Sequence, residues 1–193
     1  MTIPRALLLT LCFLCCYAPG SSSSSASSTG DFHHCLSASI PKHLLFTQSS
    51  RSFASVLASS VRNPKFLAPD TVQPLCIVTP TNASHVQAAV LCGRRHGVRL
   101  RARSGGHDYK ALSYRSARPE AFAIVDLRAG LRAVRVDRRA ATAWVDSGAT
   151  VGKLYHAVAA ASGSALAFPA GLCPTMGVGG HLSGGSFGPL QRK

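Results

Sequence analysis

Apolar and polar positions follow different rhythms along this chain, and each change of rhythm marks an element. The first pattern is an unbroken apolar run, Ala6 to Tyr17, after Arg5 and before Ala18-Pro19-Gly20 and a serine tract. A basic, then apolar, then small-residue order is that of a secretory signal peptide, so residues 1–26 are predicted to be removed, with cleavage between Ala18 and Ala26. The competing reading, a short membrane anchor, suits the run less well because it is too short to span a bilayer comfortably. Ser21 to Gly30 reads as a flexible, low-complexity lead-in.

Beyond it, Asp31 to Ala38 and Ser52 to Val61 read as short helices, and Pro64 and Pro69 interrupt the chain. Leu75 to Val78 is a continuous apolar strand stopped by Pro80. Ser84 to His96 has helical spacing, with Val86, Ala89, Val90 and Gly93 on one face and Gly97 as a stop. Val98 to Arg103 alternates like a strand, and a loop follows from Ser104 to Tyr114. Phe122 to Leu127, Leu131 to Val136 and Thr142 to Asp146 read as strands. Val151, Leu154, Tyr155, Val158 and Ala159 give Thr150 to Ser162 the 3.6-residue period of an amphipathic helix, closed by Gly163. Ala165 to Phe168 reads as a strand, and the remainder is glycine-rich. Strands mixed with a few helices predict an α+β domain. The glycine-rich stretch Gly184 to Gly188 has no packed element after it, which predicts a truncated product or fragment.

Composition changes this picture at two points. With 46% apolar residues in 193, the chain can build a core. Its net charge is +14, and the arginines crowd between Arg94 and Arg139. They are scattered between strand-like segments, without the interleaved aromatic platform that base stacking requires, so the charge reads as a solvated basic face and not as nucleic-acid binding. Secretion removes Cys12, Cys15 and Cys16 and leaves Cys35, Cys76, Cys92 and Cys173 in an oxidising compartment. Asn82-Ala83-Ser84 is an N-glycosylation sequon.

Candidate chemistry gathers in three segments. Arg103-Ser104-Gly105-Gly106-His107-Asp108-Tyr109 offers glycines that let the backbone approach a ligand, with free N–H groups suited to a pyrophosphate. Ser147-Gly148-Ala149-Thr150 opens a helix, whose N-terminus favours anions and whose cap is Thr150 or Ser147. Gly171-Leu172-Cys173-Pro174-Thr175-Met176-Gly177-Val178-Gly179-Gly180-His181 again sets a nucleophile beside glycines. It lacks the G-x-G-x-x-G form of a Rossmann site, and no His or Cys pair of the mature chain has metal-ligand spacing.

These three motifs, in this order and behind a signal peptide, resemble the berberine bridge enzyme-like family of plants, secreted FAD-linked oxidoreductases of the vanillyl-alcohol-oxidase superfamily. The resemblance implies a PCMH-type FAD-binding domain over residues 69–193, cut before the substrate domain, after a helical lead-in at 27–68. It implies FAD held covalently twice, by His107 at the 8α-methyl carbon and by Cys173 at C6 of the flavin, which calls for an unprotonated imidazole and a thiol of lowered pKa. It implies cofactor contacts from Arg103, Ser104, Gly105, Gly106 and Asp108, from Ser147, Gly148, Ala149 and Thr150, and from Gly171, Gly177, Val178, Gly179, Gly180, Gly184 and Gly185. Tyr109 is placed near the substrate and His181 beside the ribityl chain, steadying the reduced ring. Cys35 and Cys92 match the family's disulfide, with Cys92 off the apolar face of its helix, and Cys76 is left as a buried free thiol. Three positions depart from the family. Lys110-Ala111 replaces Glu-Gly, Ser186 stands for a glycine, and Met176 occupies a position that governs oxygen access.

The expectation is an oxidoreductase that passes a hydride from an alcohol, carbohydrate or alkaloid-type substrate to FAD, with O2 or another acceptor reoxidising it. It is secreted, extracellular or in the cell wall, free of the membrane after cleavage. The rival readings are a truncated flavin-binding remnant without turnover and a basic secreted binder of polyanions. The substrate, the oligomeric state and the choice of oxidase or dehydrogenase are not legible in the sequence.

Overall fold

A computed structural model describes residues 25–68, 71–116, 118 and 120–189, with side chains from residue 29 onward. The predicted signal segment lies outside these residues, save for Ser25 and Ala26, which open the first helix.

That helix, α1 (Ser25–Ser39), is longer than predicted and takes in part of the serine tract expected to be flexible. Phe32, Leu36 and Ile40 bury one side of the segment completely or nearly so, so packing outweighs the poor helix propensity of its serines and Gly30. A strand that the sequence did not announce, β1 (Leu45–Thr47), follows, then α2 (Phe53–Ala58). The lead-in is therefore part of the sheet: β1 pairs antiparallel with β2 (Cys76–Val78).

Helix α3 (Ala83–His96) starts at Asn82, whose side chain accepts the His85 N–H, and ends at Gly97 with φ +66°. Only glycine takes that conformation without strain. Strands β3 (Arg99–Arg103) and β4 (Phe122–Asp126) complete a four-stranded sheet in the order β1-β2-β4-β3, with β2, β4 and β3 parallel. The central strands β2 and β4 are buried at every residue, as strands covered on both faces must be. Alternate residues serve opposite faces. Cys76, Val78, Ala123 and Val125 pack under α1 and α3, while Ile77, Phe122 and Ile124 pack against Phe53, Leu57, Phe66 and Tyr114.

The buried face of α3 differs from the predicted one. Ala89, Cys92 and Gly93 are buried, and Val90 is exposed. Cys92 faces α1 and forms the disulfide with Cys35. The free thiol of Cys76 is buried as expected, and burial pushes its pKa up to about 12.

The second lobe is a hairpin, β5 (Val134–Asp137) and β6 (Thr142–Val145), packed on α4 (Val151–Ser162). β5 begins three residues later than predicted, because Leu131 N–H donates to Leu127 O and Leu131 O accepts from Gly148 N–H, which ties it into a turn. The strand expected at Ala165–Phe168 does not form. That segment has no pairing strand among the described residues, and Leu166 N–H donates to the Ser162 hydroxyl. A short helix, α5 (Val178–Ser183), occupies the glycine-rich tail instead. Mixed parallel and antiparallel strands with helices make this an α+β fold, as the sequence predicts.

Candidate functional site

The site is built where β3 and β4 end side by side. Their last residues, Arg103 and Asp126, are register partners, and their buried side chains pair at 2.6 Å. Arg103 also donates to Leu57 O and Val56 O. The guanidinium that the sequence reading assigned to the cofactor is thus used inside the fold, where it holds α2 against the sheet end. These hydrogen bonds at both terminal nitrogens replace part of the water lost by so deep an ion pair, while Arg103 Nε has no partner among the described residues.

Above this clamp the first glycine loop crosses the third. A Cβ on Gly105 would strike the Gly177 backbone, and a Cβ on Gly177 would strike Ser104 and Gly105. Side chains at either position would force the two loops apart. The carbonyl of Ser147 joins them, accepting from the Ser104 hydroxyl at 2.6 Å and from Gly179 N–H at 3.0 Å. Further along, Val151 N–H donates to Met176 O, Gly152 N–H to Pro174 O and Val178 N–H to Ala149 O. Thr150 caps α4, accepting from Lys153 N–H. Ser147 does not cap it.

His107 lies at this crossing. Its Nε2 is 2.9 Å from the hydroxyl of Thr175, two residues beyond Cys173. Burial, and next the Arg62 cation, push its pKa below the ordinary histidine value, which favours the neutral ring. Arg62 is close because its Nε donates to Gly105 O at 3.3 Å. Asp108 accepts from the N–H groups of Lys110 and Ser113 and so shapes the loop carrying them. Ala111 in that loop has φ +58°, and Ser186 has φ +57°. Both stand where the resembled family has glycine, and each holds a left-handed backbone that a side chain disfavours. On the far side His181, on α5, accepts Gly171 N–H at its Nε2.

These elements enclose a groove of about 650 Å3. Ser104, Gly105, Gly106, His107 and Asp108 line it, with Ser147, Gly177, Gly179, Gly180, His181 and Gly184. Other predicted residues stand elsewhere. Ala149 and Val178 are core, Gly148 is buried under Leu127, and Tyr109 is 99% exposed. Gly171 receives the His181 and Tyr155 side chains, Gly185 lies between the lining residues Gly184 and Ser186 at φ +97°, and Cys173 is exposed and not part of the lining. The sequence reading missed Arg62, Ser113, Leu127 and Phe187, and gave Thr175 no role of its own. All reach the site through tertiary contacts that no local pattern announces.

The lining suits FAD. Ser113 lines the groove, and its buried Oγ has no hydrogen-bond partner among the described residues, an unmet polar atom of the kind a bound ligand can satisfy. Gly180, in the groove wall, has open space where a Cβ would project, so a ligand can approach bare backbone there.

Comparison with known proteins agrees with this geometry. Residues 74–193 match the sequence profile of the FAD binding domain. The chain is 62% identical over 163 residues to Berberine bridge enzyme-like Cyn d 4 of Cynodon dactylon, covering 84% of this chain and 31% of that protein. It is 45% identical over 192 residues to tetrahydroberberine oxidase of Berberis wilsoniae, covering 97% and 35%. Among solved structures, wild-type Phl p 4.0202, a glucose dehydrogenase, superposes with a TM-score of 0.82 at 59% identity, over 84% of this chain and 33% of that one. The chain thus spans about a third of the length of the curated relatives it matches. The profile match, the close relatives and the groove together assign this chain to the berberine bridge enzyme-like family of FAD-linked oxidoreductases.

Proposed function

We propose that this protein serves a secreted oxidoreductase whose FAD is attached at both His107 and Cys173. Bound FAD supplies hydride acceptance from a substrate alcohol, carbohydrate or alkaloid-type compound, and delivery of the electrons to dioxygen or another acceptor. The observation that carries the reading is the meeting of the two loops, with His107 hydrogen-bonded to the residue two positions beyond Cys173. A carbohydrate or alkaloid-type substrate is suggested by the relatives, a glucose dehydrogenase and a tetrahydroberberine oxidase.

His107 contributes a neutral nitrogen and Cys173 an exposed thiol. In each tether a nitrogen–carbon or sulfur–carbon bond replaces one C–H on the cofactor and one N–H or S–H on the protein. Two protons leave, and the electron pair passes to a two-electron acceptor such as dioxygen. His181 keeps a neutral ring nitrogen on Gly171 N–H, leaving its other nitrogen as an N–H donor for the cofactor. Tyr109, at the outer edge of the same loop as His107, is free to meet substrate. Asn82, exposed at the start of α3, carries the proposed N-glycan.

The test is to load the chain with FAD, denature it and measure the yellow chromophore that stays with protein. His107→Ala and Cys173→Ala should each leave one tether and the double variant none. Chromophore lost entirely from the unaltered chain on denaturation would end the covalent reading.

A second reading, a flavin-binding protein without turnover, is favoured by apolar surface left open on the second lobe. Trp144, Leu172 and Phe187 are all about four-fifths exposed. Turnover by the 193-residue chain alone would dispose of it.

A further inference from the structure

We propose that Thr175 is a positioning residue for His107: its hydroxyl accepts the Nε2–H of the imidazole and leaves Nδ1 as the nitrogen that forms the tether. The inference rests on the covalent reading above. It assigns a role to a residue whose neighbours, the thiol at 173 and the glycine at 177, are otherwise the chemically prominent members of the loop.

Three observations support it. The contact is short, 2.9 Å from His107 Nε2 to Thr175 Oγ1, and the hydroxyl has no other partner among the described residues. Thr175 is itself held in place. Met176 N–H closes a turn onto Cys173 O, and the next residue, Gly177, is locked against Ser104 and Gly105. The loop that presents the thiol therefore also sets the imidazole. Lastly, the environment of His107 favours a neutral ring, through burial first and then the Arg62 cation.

A neutral imidazole has one N–H and one bare nitrogen. A threonine hydroxyl can serve either as donor or as acceptor, so the geometry alone allows both tautomers. The chemistry selects one. If Thr175 donated to Nε2, the proton would sit on Nδ1, and the nitrogen not engaged by the loop would have no lone pair to offer. With Thr175 accepting, Nδ1 is unprotonated and free. Bond formation there removes one hydrogen from the cofactor carbon and, finally, the Nε2 proton of the ring, with the electron pair going to dioxygen or a similar acceptor. Valine at position 175 would keep the branched shape and lose the hydroxyl, whereas serine would keep the hydroxyl.

The experiment has two arms on the full chain. In the first, nitrogen-resolved NMR of the flavin-free protein reports the His107 tautomer in the unaltered chain, Thr175→Val and Thr175→Ser. The expected result is Nε2–H in the unaltered chain and in Thr175→Ser, and a mixture in Thr175→Val. A dominant Nδ1–H form in the unaltered chain would overturn the proposal. In the second, FAD is added and peptide mass analysis follows attachment at His107 and at Cys173 separately. Thr175→Val should slow the His107 bond about tenfold, the size of one lost hydrogen bond, while the Cys173 bond forms at its usual rate and Thr175→Ser restores the first. Equal His107 rates in Thr175→Val and the unaltered chain would refute it. If the unaltered chain binds FAD without any bond to His107, the covalent reading fails by itself, and the tautomer measurement still decides what Thr175 does.

Discussion

The two lobes solve the problem of burial differently. The first lobe sandwiches its sheet between two cores, so that β2 and β4 are covered on both faces, and closes one side with a disulfide and the other with a buried ion pair. The second has a single small core between α4 and its hairpin, and leaves the outer face of β6 in solvent, with Trp144 at 80% exposure. The first lobe thus carries its own stability. The second is held in place by loop crossings at Gly105, Gly177 and Ser147, which are also the walls of the groove. The site depends most on the lobe that can least sustain itself.

Several changes would break or sharpen that contrast. Asp126→Ala leaves the Arg103 guanidinium buried without its partner and is expected to cost the first lobe about 3–5 kcal/mol in urea denaturation. Trp144, the single tryptophan, gives a fluorescence signal from the second lobe only. If the second lobe leans on the first, that signal and the circular dichroism will be lost together in Asp126→Ala. Cys92→Ala opens a cross-link between residues 57 apart in sequence and should cost about 4 kcal/mol by loop entropy, again read in urea. Ser113→Ala changes the groove without changing either core. It should weaken non-covalent FAD binding about tenfold when measured in the His107→Ala/Cys173→Ala background, with unchanged urea stability.

Acid should act on both lobes' junction and on α1. Burial lowers the pKa of His33, and burial with Arg62 lowers that of His107. Each group binds fewer protons folded than unfolded, so the stability it supports is present above the unfolded value of about 6.5 and is lost as pH falls through the lower folded value. Thermal midpoints should therefore decline on acidification from pH 7 to 5, and His33→Gln should flatten that slope. The smallest effect is expected from Ala111→Gly and Ser186→Gly. Relief of a left-handed alanine or serine gains roughly 1 kcal/mol, partly offset by the added freedom of the unfolded glycine, so each should raise stability by less than about 1 kcal/mol.

Much of this molecule was legible where a single segment contains its own reason. The period of Val151, Leu154 and Val158 and the stops at Gly97 and Gly163 are local facts, and the helices end where those glycines turn left-handed. The strand at Cys76–Val78 announced itself by an apolar run ended by Pro80. The three glycine-rich motifs marked the groove because backbone approach needs glycine wherever the partner lies. The failures share one cause. Ala165–Phe168 has strand-like residues without a neighbouring strand, β1 is three residues long and exists because β2 offers it an edge, and α1 extends into serines because its later turns are anchored.

The sequence by itself determined the composition of the site: which loops carry glycine, which carry a nucleophile, and where helices start and stop. Only the tertiary structure decided what those residues do. It turned Arg103 inward onto Asp126, brought Arg62 and Thr175 to His107, and left the buried Ser113 hydroxyl at the groove wall without a partner among the described residues. The physical reason is range. Backbone preference and side-chain period act over a few neighbouring residues, whereas an ion pair, a tautomer or an unmet hydrogen bond depends on groups brought together from segments tens of residues apart.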